Sequence, residues 1–381
     1  MPPTRAAGHS WRRVVGVGGL CLMALSGRAL AQDAPAPGAS PAPEASPSPS
    51  PAPPGIEVSG FVDAYYLYNF NKTAPQLRTF DVQHNAFSLS LAEIAFQKSV
   101  TPESRAGFRV DLDFGKTADI VASFEPEGST GTEIYQHIQQ AYVSFQADSK
   151  VVLDFGKFVT PIGAEVIESK DNWNYGRSVL FGYAIPFYHV GLRATITAND
   201  KVTLNGFVLN GWNNSSVIEQ GEPCVAVAAT VKPSAAVTWV GNVMYGPEQA
   251  TGAKRGLFDT TLTYTASPKV SLQVNGTYGE QGDVKWWGVA GYAKYQATAN
   301  WDLVGRVEYL DDSKGGFMTL GTTGETITVT SDHKLPGDLM VRFEYYLDLA
   351  KDPFFKNADG TLKKTQSTLT AGVVYAFGGK I

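Results

Sequence analysis

Residues 104–115 read SRAGFRVDLDFG. Ala106, Phe108, Val110, Leu112 and Phe114 share one parity, and Arg105, Gly107, Arg109, Asp111 and Asp113 share the other. Side chains on a strand alternate faces, so the segment is a ribbon with one apolar and one charged face. A soluble sheet would set the apolar face on a core and the charges in water. A membrane barrel would set the apolar face in lipid and turn the charges towards a wet lumen.

The same signal recurs from Ile56 onward: about ten alternating residues, then a break. Short breaks such as ADSK (147–150), KPSA (232–235) and KLPGD (334–338) are turn chemistry. Longer polar breaks alternate with them, at 71–83, 115–134, 161–186, 212–221, 246–255, 281–284, 312–322 and 349–364. Sixteen strands are expected, near 56–70, 84–98, 104–114, 135–146, 151–160, 187–197, 201–211, 222–231, 236–245, 256–266, 270–280, 285–297, 301–311, 323–332, 339–348 and 365–377. An even count, tight turns on one rim and long loops on the other describe an all-β, antiparallel, up-and-down transmembrane barrel, with short periplasmic turns and long extracellular loops. A sixteen-strand sandwich would need two domains, and no linker divides 56–381.

Other strands repeat the opening pattern. His189 and Arg193 oppose Val190 and Leu192; Arg306 and Glu308 oppose Val307 and Tyr309; Arg342 and Glu344 oppose Val341, Phe343 and Tyr345. Burying such charges in a dry core costs several kcal/mol each unless they are paired, and a water-filled lumen removes that cost. Arg105, Arg109, Asp111, Asp113, Arg193, Arg306, Glu308, Arg342 and Glu344 are therefore the expected pore-lining set. Aromatics gather near strand ends, at Tyr65, Tyr66, Tyr68 and Phe70, at Trp286 and Trp287, and at Tyr375 and Phe377, where interfacial girdles are expected. Two strands break parity: 86–96 switches from Leu89 and Leu91 to Ile94 and Phe96, and 153–159 switches at Phe158. Bulges would account for both.

The ends differ from the middle. Arg5, Arg12 and Arg13, the apolar run VVGVGGLCLMALSG and the small residues at 29–31 make residues 1–31 a secretory signal peptide. Residues 32–55 are rich in Pro, Ala and Ser and cannot build a core; a periplasmic tether is expected, with weak cell-wall contact as the sharper alternative. The chain holds 31 Lys+Arg and 36 Asp+Glu; four arginines fall in the signal peptide, leaving 27 against 36, a net charge of −9. That argues against nucleic acid as a partner. Cys224 alone remains after residue 31, so no intramolecular disulfide forms.

The longest break, PIGAEVIESKDNWNYGRSVLFGYAIP (161–186), is long enough to suggest function. Folded into the lumen it would narrow a channel, with Glu165, Glu168, Lys170, Asp171 and Arg177 setting the field at the constriction. Folded outward it would be a solvated surface loop. The residues alone lean slightly towards the outward placement.

GKFVTPIGAE (156–165), NWNYGRSVLFGYAIPFYHVGLR (172–193) and LNGWNN (209–214) together resemble the OmpL-like β-barrel porin family of Gram-negative bacteria. The resemblance covers nearly all of 56–377. It implies an outer-membrane porin and transfers neither a substrate nor site residues. The final YAF is followed by GGKI, a departure from chains that end on an aromatic.

No catalytic or cofactor chemistry is expected. His84, His137, His189 and His333 are scattered, GRSVLFG is no nucleophile elbow, and no phosphate loop appears. An outer-membrane hydrolase is the enzymatic alternative, and the missing local motif counts against it. The expected function is passive diffusion of small hydrophilic solutes through a water-filled lumen. A sugar- or anion-selective porin and a structural barrel tethered towards the wall are the alternatives. For a sugar, Tyr65 and Phe207 are the aromatic residues of inward parity. The expected partners are outer-membrane lipid and those solutes; a homo-oligomer fits, and sequence does not distinguish monomer from trimer.

Overall fold

The computed structural model describes residues 55–125, 135–216, 221–248, 253–313 and 323–380. Residues 1–31, expected as a signal peptide, and all but the last residue of the Pro-rich segment lie outside the described residues.

All sixteen expected strands form and close into one antiparallel barrel. They are β1 (Glu57–Asn69), β2 (Ala86–Lys98), β3 (Ala106–Phe114), β4 (Ile138–Asp148), β5 (Val151–Val159), β6 (Tyr188–Thr197), β7 (Val202–Leu209) and β8 (Cys224–Ser234). The circuit continues through β9 (Val237–Glu248), β10 (Ala253–Ser267), β11 (Val270–Gln281), β12 (Val284–Thr298), β13 (Trp301–Asp311), β14 (Thr323–Leu335) and β15 (Leu339–Ala350). A two-residue ribbon, β16 (Phe355–Lys356) with β17 (Leu362–Lys363), decorates the following loop, and β18 (Thr365–Lys380) completes the wall. β18 pairs with β1 from Glu57–Lys380 to Asn69–Thr368, so no edge is left open. β18 therefore runs three residues past the expected end at 377, through Gly378, Gly379 and Lys380.

Facing follows parity. Val143, Phe155, Leu192, Val227, Phe258, Val289, Val307, Val329, Phe343 and Val373 project outward and are exposed. Asp111, Asp113, Asp259, Arg306, Glu308, Arg342 and Glu344 project inward. An apolar outside and a charged inside suit lipid around the barrel.

The parity break in β2 is a bulge. Asp63 pairs with Leu91 and Ala64 with Leu89, which leaves Ser90 as the extra residue. Leu89 thus faces out, while Leu91 turns in and is buried. In β5, Phe155 faces out and Phe158 faces in, against Phe207. The aromatic expectation holds only in part. Tyr66, Tyr68, Trp287, Tyr375 and Phe377 stand on the outer face near the rims, but Tyr65 and Trp286 are inward and buried. Both obey the alternation: each neighbours an outward-facing aromatic, so one of each pair must turn in.

Candidate functional site

The loop between β5 and β6 folds into the barrel, against the slight sequence preference for an outward placement. The reason is visible in its hydrogen bonds. Its backbone groups, which would need water at the surface, are taken up by inward charges of the wall. Near the start, Gly163 N–H donates to Asp259 Oδ1 at 3.0 Å, on β10. Glu165 accepts from Arg306 at 2.7 Å, on β13. A single 3-10 turn (Ser169–Asp171) forms the tip. There Arg342 donates to the carbonyls of Ser169 at 2.6 Å and Asn172 at 2.7 Å. On the way back, Glu344 accepts the N–H groups of Tyr175 at 2.7 Å and Gly176 at 2.8 Å. Asn174 donates to Thr330 at 2.6 Å and the Tyr175 hydroxyl to Asp63 at 2.9 Å. Glu308 accepts Val179 N–H at 2.8 Å, and Trp286 donates to the Ala184 carbonyl at 3.1 Å.

β15 alone carries much of this ladder. Rising from the short-turn rim it presents Arg342, Glu344, Tyr346 and Asp348 inward. Arg342 holds the loop tip, Glu344 holds its returning arm, and Asp348 holds a second loop. That second loop joins β1 to β2 and also folds in: Arg78 donates to Asp348 at 3.0 Å and to Thr368 at 3.0 Å. The Arg78 and Arg306 guanidiniums approach the Tyr346 ring at 3.4 and 5.1 Å. The two loops touch through Phe80 against Phe181 and Phe187, and through Tyr183, whose hydroxyl donates to the Arg78 carbonyl. Ile162, Ile167, Val179, Leu180, Ile185 and Phe187 join inward wall residues in one apolar cluster. The long-loop half of the lumen therefore contains a packed core, which sixteen bare strands would not have.

Each residue of the expected constriction set has a definite place. Glu165 is buried between Arg306 and Ser178, accepting from both the N–H and the hydroxyl of Ser178. Arg177 is buried and donates to the carbonyls of Val166, Ile167 and Tyr175, so it folds the loop on itself. Glu168 accepts from Gln139 of β4. Lys170 and Asp171 pair at the tip and keep contact with solvent. They border a cavity of about 550 Å³ at the short-turn mouth, together with Ser59, Lys334, Met340 and Phe377.

The expected wall set divides. Alternation places Arg306, Glu308, Arg342 and Glu344 on a wetted wall. They do point inward, but the loop covers them, leaving exposures of 1, 6, 2 and 1%. Loop N–H and C=O groups stand where water was expected. Arg109 pairs with Asp111 at 2.9 Å and Arg193 with Asp154 at 2.8 Å, both lower in the lumen and partly exposed on the arginine side. Asp113 is inward and buried, opposite Glu93. Arg105 is not in the lumen. It precedes β3, donates to the carbonyls of Gln146 and Ala147, and lies over the outward-facing ring of Phe145. Parity continues only while the chain is in the sheet, and Arg105 has left it. Asp63 and Asp259 were missed, though their inward parity marks them. Arg78 sits in a loop and carries no periodic signal.

Close approach between loop and wall needs missing side chains. A Cβ on Gly372 of β18 would meet Tyr175 Cε2 at 2.6 Å. Gly372→Val should therefore push the Tyr175 ring off its seat and break the bond to Asp63. Overpacking of this kind costs about 1–3 kcal/mol. Open-channel noise should rise while the barrel's melting temperature stays put; unchanged noise would show that Tyr175 does not hold the loop.

Asp81, in the first loop, is buried beside Arg78 at 3.6 Å. Burial pushes its carboxyl up to about 6; Arg78 and Arg177 pull it down and Glu344 pushes it up. A folded value above the ordinary 3.8 means the packed loops prefer the neutral acid. Stability from this group is whole below its unfolded value and is lost as pH rises through about 6. Loop noise should thus be lower at about pH 4.5 than at about pH 7.5, and Asp81→Asn should abolish the difference. An equal pH step in the variant would assign the effect elsewhere.

The family described as "Putative beta-barrel porin-2, OmpL-like" matches residues 55–377, almost the whole barrel. The chain belongs to this family. It is an outer-membrane porin, a channel for passive diffusion. Solved structures share the fold at low identity. The outer membrane channel DcaP of Acinetobacter baumannii is 12% identical, with 86% of this chain and 99% of that one covered and a TM-score of 0.56. An anion-selective porin from Comamonas acidovorans is 13% identical, with 84% and 99% covered and a TM-score of 0.58. The trimer form of OmpT from Vibrio cholerae is 10% identical, with 84% and 99% covered and a TM-score of 0.55. No protein of curated description matches the sequence.

Proposed function

We propose that small hydrophilic solutes cross this porin by a route that the β5–β6 loop narrows, with Glu165, Glu168, Lys170, Asp171 and Arg177 shaping the constriction. The carrying observation is the latch itself: a loop bonded to β10, β13, β14 and β15 sits across a barrel otherwise wide enough for an aqueous channel. No group performs covalent chemistry in this account, and the protein is a channel rather than an enzyme. Residues 1–31 act as a cleaved leader that delivers the chain to the outer membrane, and residues 32–55 act as a tether. Planar-bilayer recording tests the permeation step. Purified, folded protein should give discrete conductance steps, and a folded sample without steps would reject it.

One observation favours anions among those solutes. Below the packed half, two inward wall cations keep contact with solvent while their acids do not, although at the loop tip Asp171 is the more exposed partner of Lys170. Side-chain exposure is 32% for Arg109 against 0% for Asp111, and 42% for Lys334 against 6% for Asp302. Local field, not total charge, sets preference at a constriction. The reversal potential in a KCl gradient should therefore report anion preference despite the net charge of −9 after the leader. Cation preference would refute this second reading.

We also propose assembly as a homo-oligomer in the outer membrane, as the OmpT trimer form does.

A further inference from the structure

In one corner of the lumen the latch leaves charges unsatisfied. Glu93 of β2 and Asp113 of β3 stand directly opposite each other on the inner face, 7% and 3% exposed. Glu93 Oε2 and Asp113 Oδ1 are each buried without a hydrogen-bond partner, and neither side chain forms an ion pair among the described residues. The charges that act most strongly on Asp113 are Glu93, Glu168 and Asp111, all acids. Lys170 and Arg109 also act on Glu93, but both are already engaged: Arg109 with Asp111 at 2.9 Å, and Lys170 with Asp171.

Two neighbouring glutamines of β4 meet the rest of this corner. Asp111 pairs with Gln140 and Leu112 with Ile138, which leaves Gln139 as the extra residue of a bulge. Adjacent side chains therefore both turn inward: Gln140 donates to Asp111 and Gln139 to Glu168. With its amide N–H given to Glu168, the Gln139 Oε1 atom is left buried and without a partner. Two carboxylate oxygens and one neutral oxygen are thus buried in the same corner with no donor supplied to them. An ionised carboxylate buried without a donor or cation is strongly destabilising. A shared proton relieves one such oxygen at a time, whereas an oxygen-seeking divalent cation takes all three.

We propose that this corner binds a hard divalent cation, Ca²⁺ before Mg²⁺, between Glu93 and Asp113, with the Gln139 amide oxygen as a neutral ligand and water completing the shell. Ca²⁺ accepts carboxylate, carbonyl and water oxygens in loose geometry, while Mg²⁺ demands a near-ideal octahedron. Among the described residues no three Asp, Glu, His or Cys side chains converge on one point, so Glu168 is an outer partner that orients Gln139 and not a ligand. Through Gln139 and Glu168 the ion ties the β2–β3 wall to the folded-in loop. The site is independent of the anion reading and of the oligomer.

The test is calorimetric titration of CaCl2 into the full porin, folded in detergent without lipopolysaccharide, stripped with EDTA and held in about 150 mM KCl to screen diffuse binding. About one Ca²⁺ per chain should bind, with a dissociation constant of about 10⁻⁴–10⁻³ M. Glu93→Gln with Asp113→Asn should weaken binding roughly ten-fold or more, and Asp200→Asn, in an exposed turn, should not. Melting adds a readout of opposite sign. In EDTA the double variant, freed of two buried charges, should melt above the parent, and CaCl2 should raise the parent alone. Should the double variant not fold, Asp113→Asn by itself carries the same comparison. No heat and no rise in the parent's melting temperature would overturn the proposal in favour of a shared proton. Undiminished binding in the double variant would overturn the location, and Mg²⁺ binding as tightly as Ca²⁺ would overturn the choice of ion.

Discussion

Excising residues 164–184, with a short Gly-Ser bridge in their place, should raise single-channel conductance on the order of three- to ten-fold. The barrel itself should survive. Its strands pair with their neighbours around the full circuit, and none of that pairing passes through the loop. The excision removes the partners of Arg306, Glu308, Arg342 and Glu344, but it also admits water to all four, so no buried charge is stranded. Conductance of an aqueous pore follows its narrowest section, and a sixteen-strand wall without its packed insert is an open channel. A folded variant that conducts like the parent would mean that the narrow section lies elsewhere.

The second large effect comes from one side chain. Arg306 is fully buried and donates to Glu165 at 2.7 Å, the Gly176 carbonyl at 2.8 Å and Thr328 at 3.1 Å. Arg306→Ala leaves Glu165 and Glu308 as neighbouring buried acids without their shared cation. Breaking a buried pair by removing one partner costs about 3–5 kcal/mol. The loop can avoid that cost only by leaving the wall, so conductance should rise and loop residues should become open to protease. The double change Arg306→Met with Glu165→Leu removes both charges. It should cost less than the single change and keep the loop better seated, because one stranded acid is gone and the other, Glu308, still accepts from Thr326, Tyr346 and Val179 N–H. Equal behaviour of the single and double variants would show that the ion pair is not what seats the loop.

Much of this was legible in the residues. All sixteen strands follow from two-residue alternation and turn chemistry, because lipid on one side and polar surroundings on the other enforce parity along every strand. Even the faulty parity of residues 86–96 carried information, since Ser90 is a true extra residue. The placement of the β5–β6 loop was not legible. Its partners, Asp259, Arg306, Thr330, Arg342 and Glu344, lie 96 to 173 residues away, and no local pattern encodes such contacts. Arg306, Glu308, Arg342 and Glu344 stand inward as alternation predicts, yet the loop rather than water meets them, because charged groups in a lumen look the same in sequence whether water or a folded loop covers them. Arg105 shows the complementary error, in which alternation was carried one residue beyond the sheet.

The most direct test of the latch joins the loop to its wall. Asn174→Cys and Thr330→Cys replace two side chains whose polar atoms lie 2.6 Å apart, and the native Cys224 is buried. In intact outer membranes a short bis-methanethiosulfonate reagent should link residues 174 and 330 nearly completely and leave neither thiol open to a bulky, impermeant maleimide. Ready maleimide labelling at residue 174 from outside the cell, with no link to residue 330, would contradict a loop clamped inside the barrel.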